Sequence, residues 1–255
     1  MTEATRRLTG LLLALLCVLP LQAAPPDTIA RIKPAILGLG THQPMGKPPS
    51  RLLGTAFVVA DGRHAITNAH SLPEALQSDG VEKLVIFIGT APQLKLREVR
   101  VIEVDSDHDL ALLGFDGEPL PALRIGDSQQ VREGESYLFT GYPIGAVLGL
   151  YPVTHHAMVA SITPVAVPQI SATRISSRMV RELRDPYVVF QLDATAYPGN
   201  SGSPLYDPES GAVVGVINKV FVQQSKEAAI EHPSGITYAI PGQHIRELLR
   251  RNGLL

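Results

Sequence analysis

Short runs of branched and aromatic residues, each closed within a few positions by glycine, proline or aspartate, dominate this chain and leave it few ways to fold. Thr55 to Val59 precedes Asp61-Gly62, Leu84 to Ile88 precedes Gly89, and Leu110 to Phe115 precedes Asp116-Gly117. Tyr137 to Thr140 runs into Gly141, and further runs cover Val99 to Val104, Val188 to Leu192, Val213 to Ile217 and Ile236 to Ile240. Such side chains pack well on a pleated surface, and turn residues at these intervals predict many short strands in a sandwich or barrel. A parallel α/β fold needs helical patterns between its strands, and few are present. The fold class read from the pattern is all-β. One clear helix is predicted at the end, over 241–252. Pro241 suits its start, and Ile245, Leu248 and Leu249 share one face. Arg250 and Arg251 occupy its last turn, and Gly253 ends it. A weaker helical pattern covers Ser176 to Arg184.

The first residues decide the compartment. Arg6 and Arg7 precede an apolar run from Leu11 to Leu21, which leads to Ala23-Ala24 and then Pro25-Pro26. That is the layout of a secretory signal peptide over 1–24. The run is too short to span a bilayer comfortably, which takes roughly 20 residues. The expectation is an exported protein, periplasmic or secreted, with no stable membrane anchor once the signal is cleaved. The single cysteine, Cys17, lies inside this segment. The mature core is therefore held by burial without disulfides. Residues 25–50 carry six prolines and read as a loosely structured segment, with one short strand at Ile36 to Gly40. Residues 51–255 read as the folded domain. With 22 basic and 24 acidic residues the chain lacks the basic excess of a nucleic-acid binder.

Three motifs carry chemistry. In Gly199-Asn200-Ser201-Gly202-Ser203-Pro204 the glycines let the backbone turn tightly and point amide hydrogens inward, where they can hold the oxyanion of acyl transfer. A polar surface turn is the competing reading of the same residues. Ala65-Ile66-Thr67-Asn68-Ala69-His70 ends a strand-like run with a histidine. An imidazole, with an unperturbed pKa near ~6.5, suits a general base. A lone histidine there is more often structural or solvated. Asp109 stands directly before the apolar run Leu110-Ala111-Leu112-Leu113 and could be buried at its start, paired with an imidazole. A solvated turn is the alternative, with Asp105 and Asp107 close by. Together the three are more specific than any one. Their order, His, Asp, Ser, is that of chymotrypsin-type proteases and differs from subtilisins and α/β-hydrolases. His70 and Asp109 fall in one half of the mature chain and Ser201 in the other, as a site between two barrels requires. The adjacent pair His155-His156 would face opposite sides of a strand, so no metal site is assigned to it.

The chain resembles the trypsin-like serine peptidases of bacteria, particularly the HtrA/Deg and glutamyl endopeptidase branches. "GTAFVVADGRHAITNAH" resembles the strand pair leading to the catalytic histidine, and "DHDLALL" the aspartate strand. "QLDATAYPGNSGSPLYD" resembles the nucleophile loop, and "GITYAIPGQHIRELL" the final strand and helix. The resemblance implies two packed six-stranded antiparallel β-barrels, about 51–120 and 121–240, with the site in the crevice between them. It implies Ser201 as nucleophile, His70 as base and Asp109 as its orienting partner. The amides of Gly199 and Ser201 would form the oxyanion hole. Thr195 and the Val216-Ile217-Asn218 strand would wall the substrate pocket, which carries no charge partner and should take a small or medium apolar side chain. Polypeptides are the implied partners, and no cofactor is implied.

The sequence departs from the family at a few positions. Ser203 stands where the HtrA branch usually has glycine, and Asn68 where a small residue is commoner. The PDZ domain common in the HtrA branch is not expected here. Asn200 replaces the aspartate that pairs with a new N-terminus in digestive enzymes, so activation by N-terminal insertion is not expected. In the HtrA branch a ligand-sensing loop lies near the arginine-rich stretch Thr173 to Arg184, which otherwise reads as a solvated loop. The rivals are a catalytically inactive binding module on the same fold, and an esterase. The Gly-x-Ser-x-Gly motif usual for an esterase is absent.

Overall fold

A computed structural model describes residues 25–73, 82–90, 92–144, 149–165, 187–220 and 235–255. It contains thirteen strands and two α-helices among those residues. The strands Ile36–His42 (β1), Ser50–Val59 (β2), His64–Asn68 (β3), Lys83–Ile88 (β4), Lys95–Glu98 (β5), Arg100–Asp105 (β6) and Leu110–Gly114 (β7) form one antiparallel sheet in the order β5-β4-β1-β2-β3-β7-β6. Its two edges, β5 and β6, are separated only by Val99, whose N–H donates to Leu84 O at 3.0 Å. The edges are thus successive halves of one bent strand, and the sheet curls round on itself. The second half is a closed barrel of Ser136–Gly141 (β8), Val153–Pro164 (β9), Val188–Asp193 (β10), Pro204–Tyr206 (β11), Val213–Val220 (β12) and Ile236–Pro241 (β13). The second half is the expected six-stranded barrel, whereas the first, expected as another, is a curled sheet of seven strands. Closure removes the unpaired edges that would otherwise invite pairing with another chain.

Two clusters of buried side chains follow from this. Phe139, Val159, Phe190, Leu192 and Ile217 fill the second barrel. Leu37, Phe57, Ile66, Ile86 and Leu112 fill the first, and that cluster continues through Tyr142, Tyr206 and Val216 into the seam between the halves. The C-terminal helix, Gly242–Arg251, begins after Pro241 as predicted and inserts Ile245, Leu248 and Leu249 into the same cluster. Burying each of these contributes about 1.5–3 kcal/mol.

The segment over 25–50 is more ordered than its prolines suggest. Pro25–Ile32 is a helix, α1, and β1 follows it. Pro25 and Pro26 supply the helical φ at the first turn, where their missing N–H groups have no intrahelical role. Asp27 and Arg31 sit at the ends the helix dipole favours. Tertiary contacts then hold the helix to the turn between β11 and β12. Thr28 Oγ1 donates to Glu209 O at 3.1 Å, and Arg31 Nη2 donates to Ser210 O at 3.0 Å. The C-terminal helix is designated α2. The pattern over Ser176 to Arg184, the arginine-rich stretch and the signal segment lie outside the described residues.

An aromatic and charged cluster ties α2 to the turn between β6 and β7. His244 of α2 stacks on His108, with centroids 3.8 Å apart, and Tyr187 meets both rings edge-on. His108 Nδ1 and N–H bond Asp105, and Arg251 bridges Asp105 and Glu103. Burial, then the neighbouring His108, push the His244 pKa below its ordinary value, against the pull of Glu247 and Asp105. Partial burial alone lowers that of His155. For Asp105 burial opposes ionisation, but the bonds from His108 and Arg251 outweigh it and hold the carboxyl well below the usual range. In every case the unfolded chain binds more protons than the folded one over the shifted window, so stability rises with pH there. Stability by urea denaturation is expected to fall as pH drops below about 6.5, where unfolded histidines take up protons, and again below about 4, where unfolded Asp105 does. His244→Asn should make the first fall less steep. Equal stability at pH 7.5 and pH 5 would refute this.

Candidate active site

The β3–β7 ladder assembles the first half of the site. Asn68 pairs with Leu110 at its end, which sets Asp109 beside the residues that follow Asn68. The ladder continues past the strands: Ala69 N–H and Asn68 Nδ2 both donate to Asp109 O at 3.1 Å. A short 3₁₀ turn, Ala69–Ser71, then turns His70 towards the Asp109 side chain. Asp109 has φ +55°, a left-handed conformation that aspartate tolerates.

The Asp109 carboxylate is fully buried and accepts three hydrogen bonds from named donors. His70 Nδ1–H reaches Oδ2 at 2.6 Å, His70 N–H reaches Oδ1 at 2.9 Å, and Asn218 Nδ2 reaches Oδ2 at 3.0 Å. Only bonding of this kind makes a buried carboxylate tolerable. The Nδ1 nitrogen faces a carboxylate, so it carries the proton. Nε2 is left as the basic nitrogen on a side chain that is 39% exposed.

The second barrel brings in Ser201. Its hydroxyl donates to Asn218 O at 3.1 Å, so Asn218 touches Asp109 with its side chain and Ser201 with its main chain. Among the described residues Ser201 makes no hydrogen bond to His70. The loop that carries Ser201 extends the β12 ladder, with Gly202 N–H to Ile217 O at 2.9 Å and Ile217 N–H to Ser203 O at 2.8 Å. It is also pinned to the first barrel by Thr55 N–H, which donates to Ser201 O at 2.8 Å. Gly202 has φ +86°, and a methyl there would overlap Thr55 O. Gly202→Ala is expected to cost at least about 1 kcal/mol from the left-handed conformation alone, and more from the overlap. A lowered urea midpoint checks this.

The remaining predicted site residues divide. Gly199, with φ +101°, stands beside Ser201, and neither amide makes a hydrogen bond among the described residues. Thr195 is half-buried. Val216 and Ile217 were expected as pocket walls, but their side chains belong to the two hydrophobic cores. Asn218 was expected in the same wall, and its side chain is spent on Asp109. The successive side chains of Val216 and Ile217 thus point into the two cores, and that of Asn218 is taken by the carboxylate. His155 stacks on Phe139 inside the second barrel while His156 is exposed, the alternation expected of a strand. Asn68, read only as a departure from the family, binds Asp109 O. The only signal for this in the sequence is its place two residues before the histidine.

Comparison with known proteins bears on the family and the fold. Residues 54–216, more than half of the chain, match the family described as the Trypsin-like peptidase domain. A probable periplasmic serine endoprotease, DegP-like, of Halomonas elongata is 26% identical over 206 residues, covering 80% of this chain and 36% of its own length. The corresponding protein of Pseudomonas savastanoi pv. phaseolicola is 28% identical over 190 residues, covering 74% of this chain and 32% of its own. The chain thus spans about a third of the length of these curated relatives. The solved structure of the HtrA-type protease AlgW with a decapeptide superposes with a TM-score of 0.64 over 89% of this chain and 67% of that one, at 20% identity. This last likeness is one of fold. The matched stretch takes in the strands that carry His70 and Asp109 and the loop that carries Ser201, and the chain belongs to the trypsin-like peptidase family.

Proposed function

We propose that this chain is an exported serine endopeptidase that hydrolyses peptide bonds through an acyl-enzyme. One observation carries the reading. His70 is held by a buried carboxylate, and Asn218 joins that carboxylate to Ser201 across the two halves of the fold. Ser201 Oγ attacks the scissile carbonyl while His70 Nε2 takes its proton and later gives it to the leaving amine. Asp109 keeps the proton on Nδ1 and stabilises the imidazolium. The amides of Gly199 and Ser201 receive the oxyanion. The relatives are named periplasmic serine endoproteases, which supports both the activity and an exported site of action.

A binding module on the same fold is favoured by one observation, the Ser201 hydroxyl bonded to Asn218 O in place of His70. In the absence of substrate, catalytic hydrogen bonds are often long or misaligned and tighten on binding. A fluorophosphonate probe decides between the two. Labelling that vanishes in Ser201→Ala establishes a live nucleophile, and an unlabelled wild-type chain leaves only the binding module.

A further inference from the structure

Three successive peptide planes decide where the proposed oxyanion-hole amides point. A trans peptide is planar and its C=O and N–H point in opposite directions. Capturing one carbonyl therefore aims the N–H of the next residue. Pro198 O accepts from Ile144 N–H at 2.7 Å, which aims Gly199 N–H the other way. Asn200 O accepts from Ser203 N–H at 3.0 Å, which does the same for Ser201 N–H. Between them lies the Gly199–Asn200 plane, and its carbonyl is held by a side chain. Thr55 Oγ1 donates to Gly199 O at 2.7 Å.

Thr55 lies on β2, in the other half of the fold, and is fully buried. Its hydroxyl also accepts from Tyr142 N–H at 3.0 Å. Tyr142 begins the turn that contains Ile144, so one hydroxyl serves both the carbonyl beside the hole and the segment that holds Pro198 O. Ile144 has φ +56°, a conformation a β-branched residue adopts only when its surroundings impose it. The Gly199 backbone has little stiffness of its own, since glycine populates either sign of φ. Something else must supply the rigidity, and Thr55 is well suited to it. Its β-branched side chain is stiff about χ1, and its backbone is pinned by Thr55 N–H to Ser201 O and by Thr67 Oγ1 to Thr55 O at 2.8 Å.

We propose that Thr55 is a positioning residue for the oxyanion hole: its hydroxyl, reaching from the N-terminal sheet, locks the Gly199–Asn200 peptide, whose N–H is held by Tyr197 O, and this middle plane keeps the planes on either side, which carry the Gly199 and Ser201 amides, fixed relative to each other. This rests on the endopeptidase reading above. It also makes the hole depend on correct packing of the two halves, because the hydroxyl and the carbonyl it holds come from different halves.

The test compares Thr55→Val, which keeps the shape and removes the hydroxyl, with Thr55→Ser, which keeps the hydroxyl. Each is assayed as folded protein well below its melting temperature, with kcat and KM on a peptide substrate. The affinity of a peptidyl boronate, whose tetrahedral adduct places an oxygen in the hole, is measured in parallel. In Thr55→Val kcat is expected to fall roughly 10–100-fold, the scale for a misplacement of about 1 Å. KM should stay nearly constant and boronate affinity should fall with kcat. Thr55→Ser should stay within about threefold of wild type. A purely structural role would lower the melting temperature and leave kcat per folded molecule alone, and that result overturns the proposal. An equal loss in Thr55→Ser also overturns it. Should Thr55→Val not fold, Thr55→Ala removes the same hydroxyl with less bulk and is read by the same criteria. A wild-type chain without turnover sinks the endopeptidase reading itself, whereas full turnover in a wild type matched by Thr55→Val sinks this inference alone.

Discussion

Peptide hydrolysis is expected to fall about 10⁶-fold in Ser201→Ala, and by a similar factor in His70→Ala. The size follows from the acyl mechanism. Without Oγ no acyl-enzyme forms, and without the imidazole a serine hydroxyl near neutral pH is too weakly nucleophilic to attack an amide. The two losses are not additive, because nucleophile and base act as a unit, so the double variant should be no slower than either single one. The residual rate should exceed the uncatalysed one by about 10³–10⁴-fold, from binding and the oxyanion hole. His70 is exposed and Ser201 half-buried, so unfolding midpoints should change little. Wild-type turnover retained by either variant would refute the triad outright.

Asp109→Asn is expected to lower kcat about 10⁴-fold while leaving substrate affinity nearly unchanged. Three donors converge on the carboxylate: His70 N–H, His70 Nδ1–H and the Asn218 amide. An asparagine offers one oxygen and one NH₂, so at least one donor must face another donor. If the NH₂ takes the place of Oδ2 it faces both the ring and Asn218: Nδ1 becomes an acceptor and the proton moves to Nε2, the nitrogen that must be free to take the Ser201 proton. The Asn218 amide must then flip or stand unpaired, and with the NH₂ at Oδ1 instead the His70 N–H loses its acceptor; either costs about 1–3 kcal/mol of stability. The variant should therefore be both slow and less stable, in contrast to Ser201→Ala. Kinetics together with a urea titration of both variants check this pairing. A loss of less than tenfold would mean that Asp109 does not set the tautomer.

Much of the fold was legible because its signal is local. Each apolar run needs only its own residues and the turn that closes it, and β2, β4, β7, β8, β10, β12 and β13 fall where those runs stand. The terminal helix was legible for the same reason. β9 was not among the apolar runs that marked strands, and only the His155-His156 pair was read as lying on one, since Val153–Pro164 mixes apolar residues with His155, His156 and Ser161 and gives no sustained alternation. Helix α1 was hidden by its prolines, and its order comes from Thr28 and Arg31 reaching a turn some 180 residues away.

The sequence by itself determined which groups could do acyl chemistry, in what order they occur, and that they sit at strand ends beside tight glycine turns. These depend on residue type and short spacing alone. Only the tertiary structure decided which groups hold them. Asn218 meets Asp109 across 109 residues and Thr55 meets Gly199 across 144, and strand register sets both meetings. A shift of one residue in a strand turns every side chain to the opposite face, so no local pattern can say whether Asn218 faces a substrate or a carboxylate.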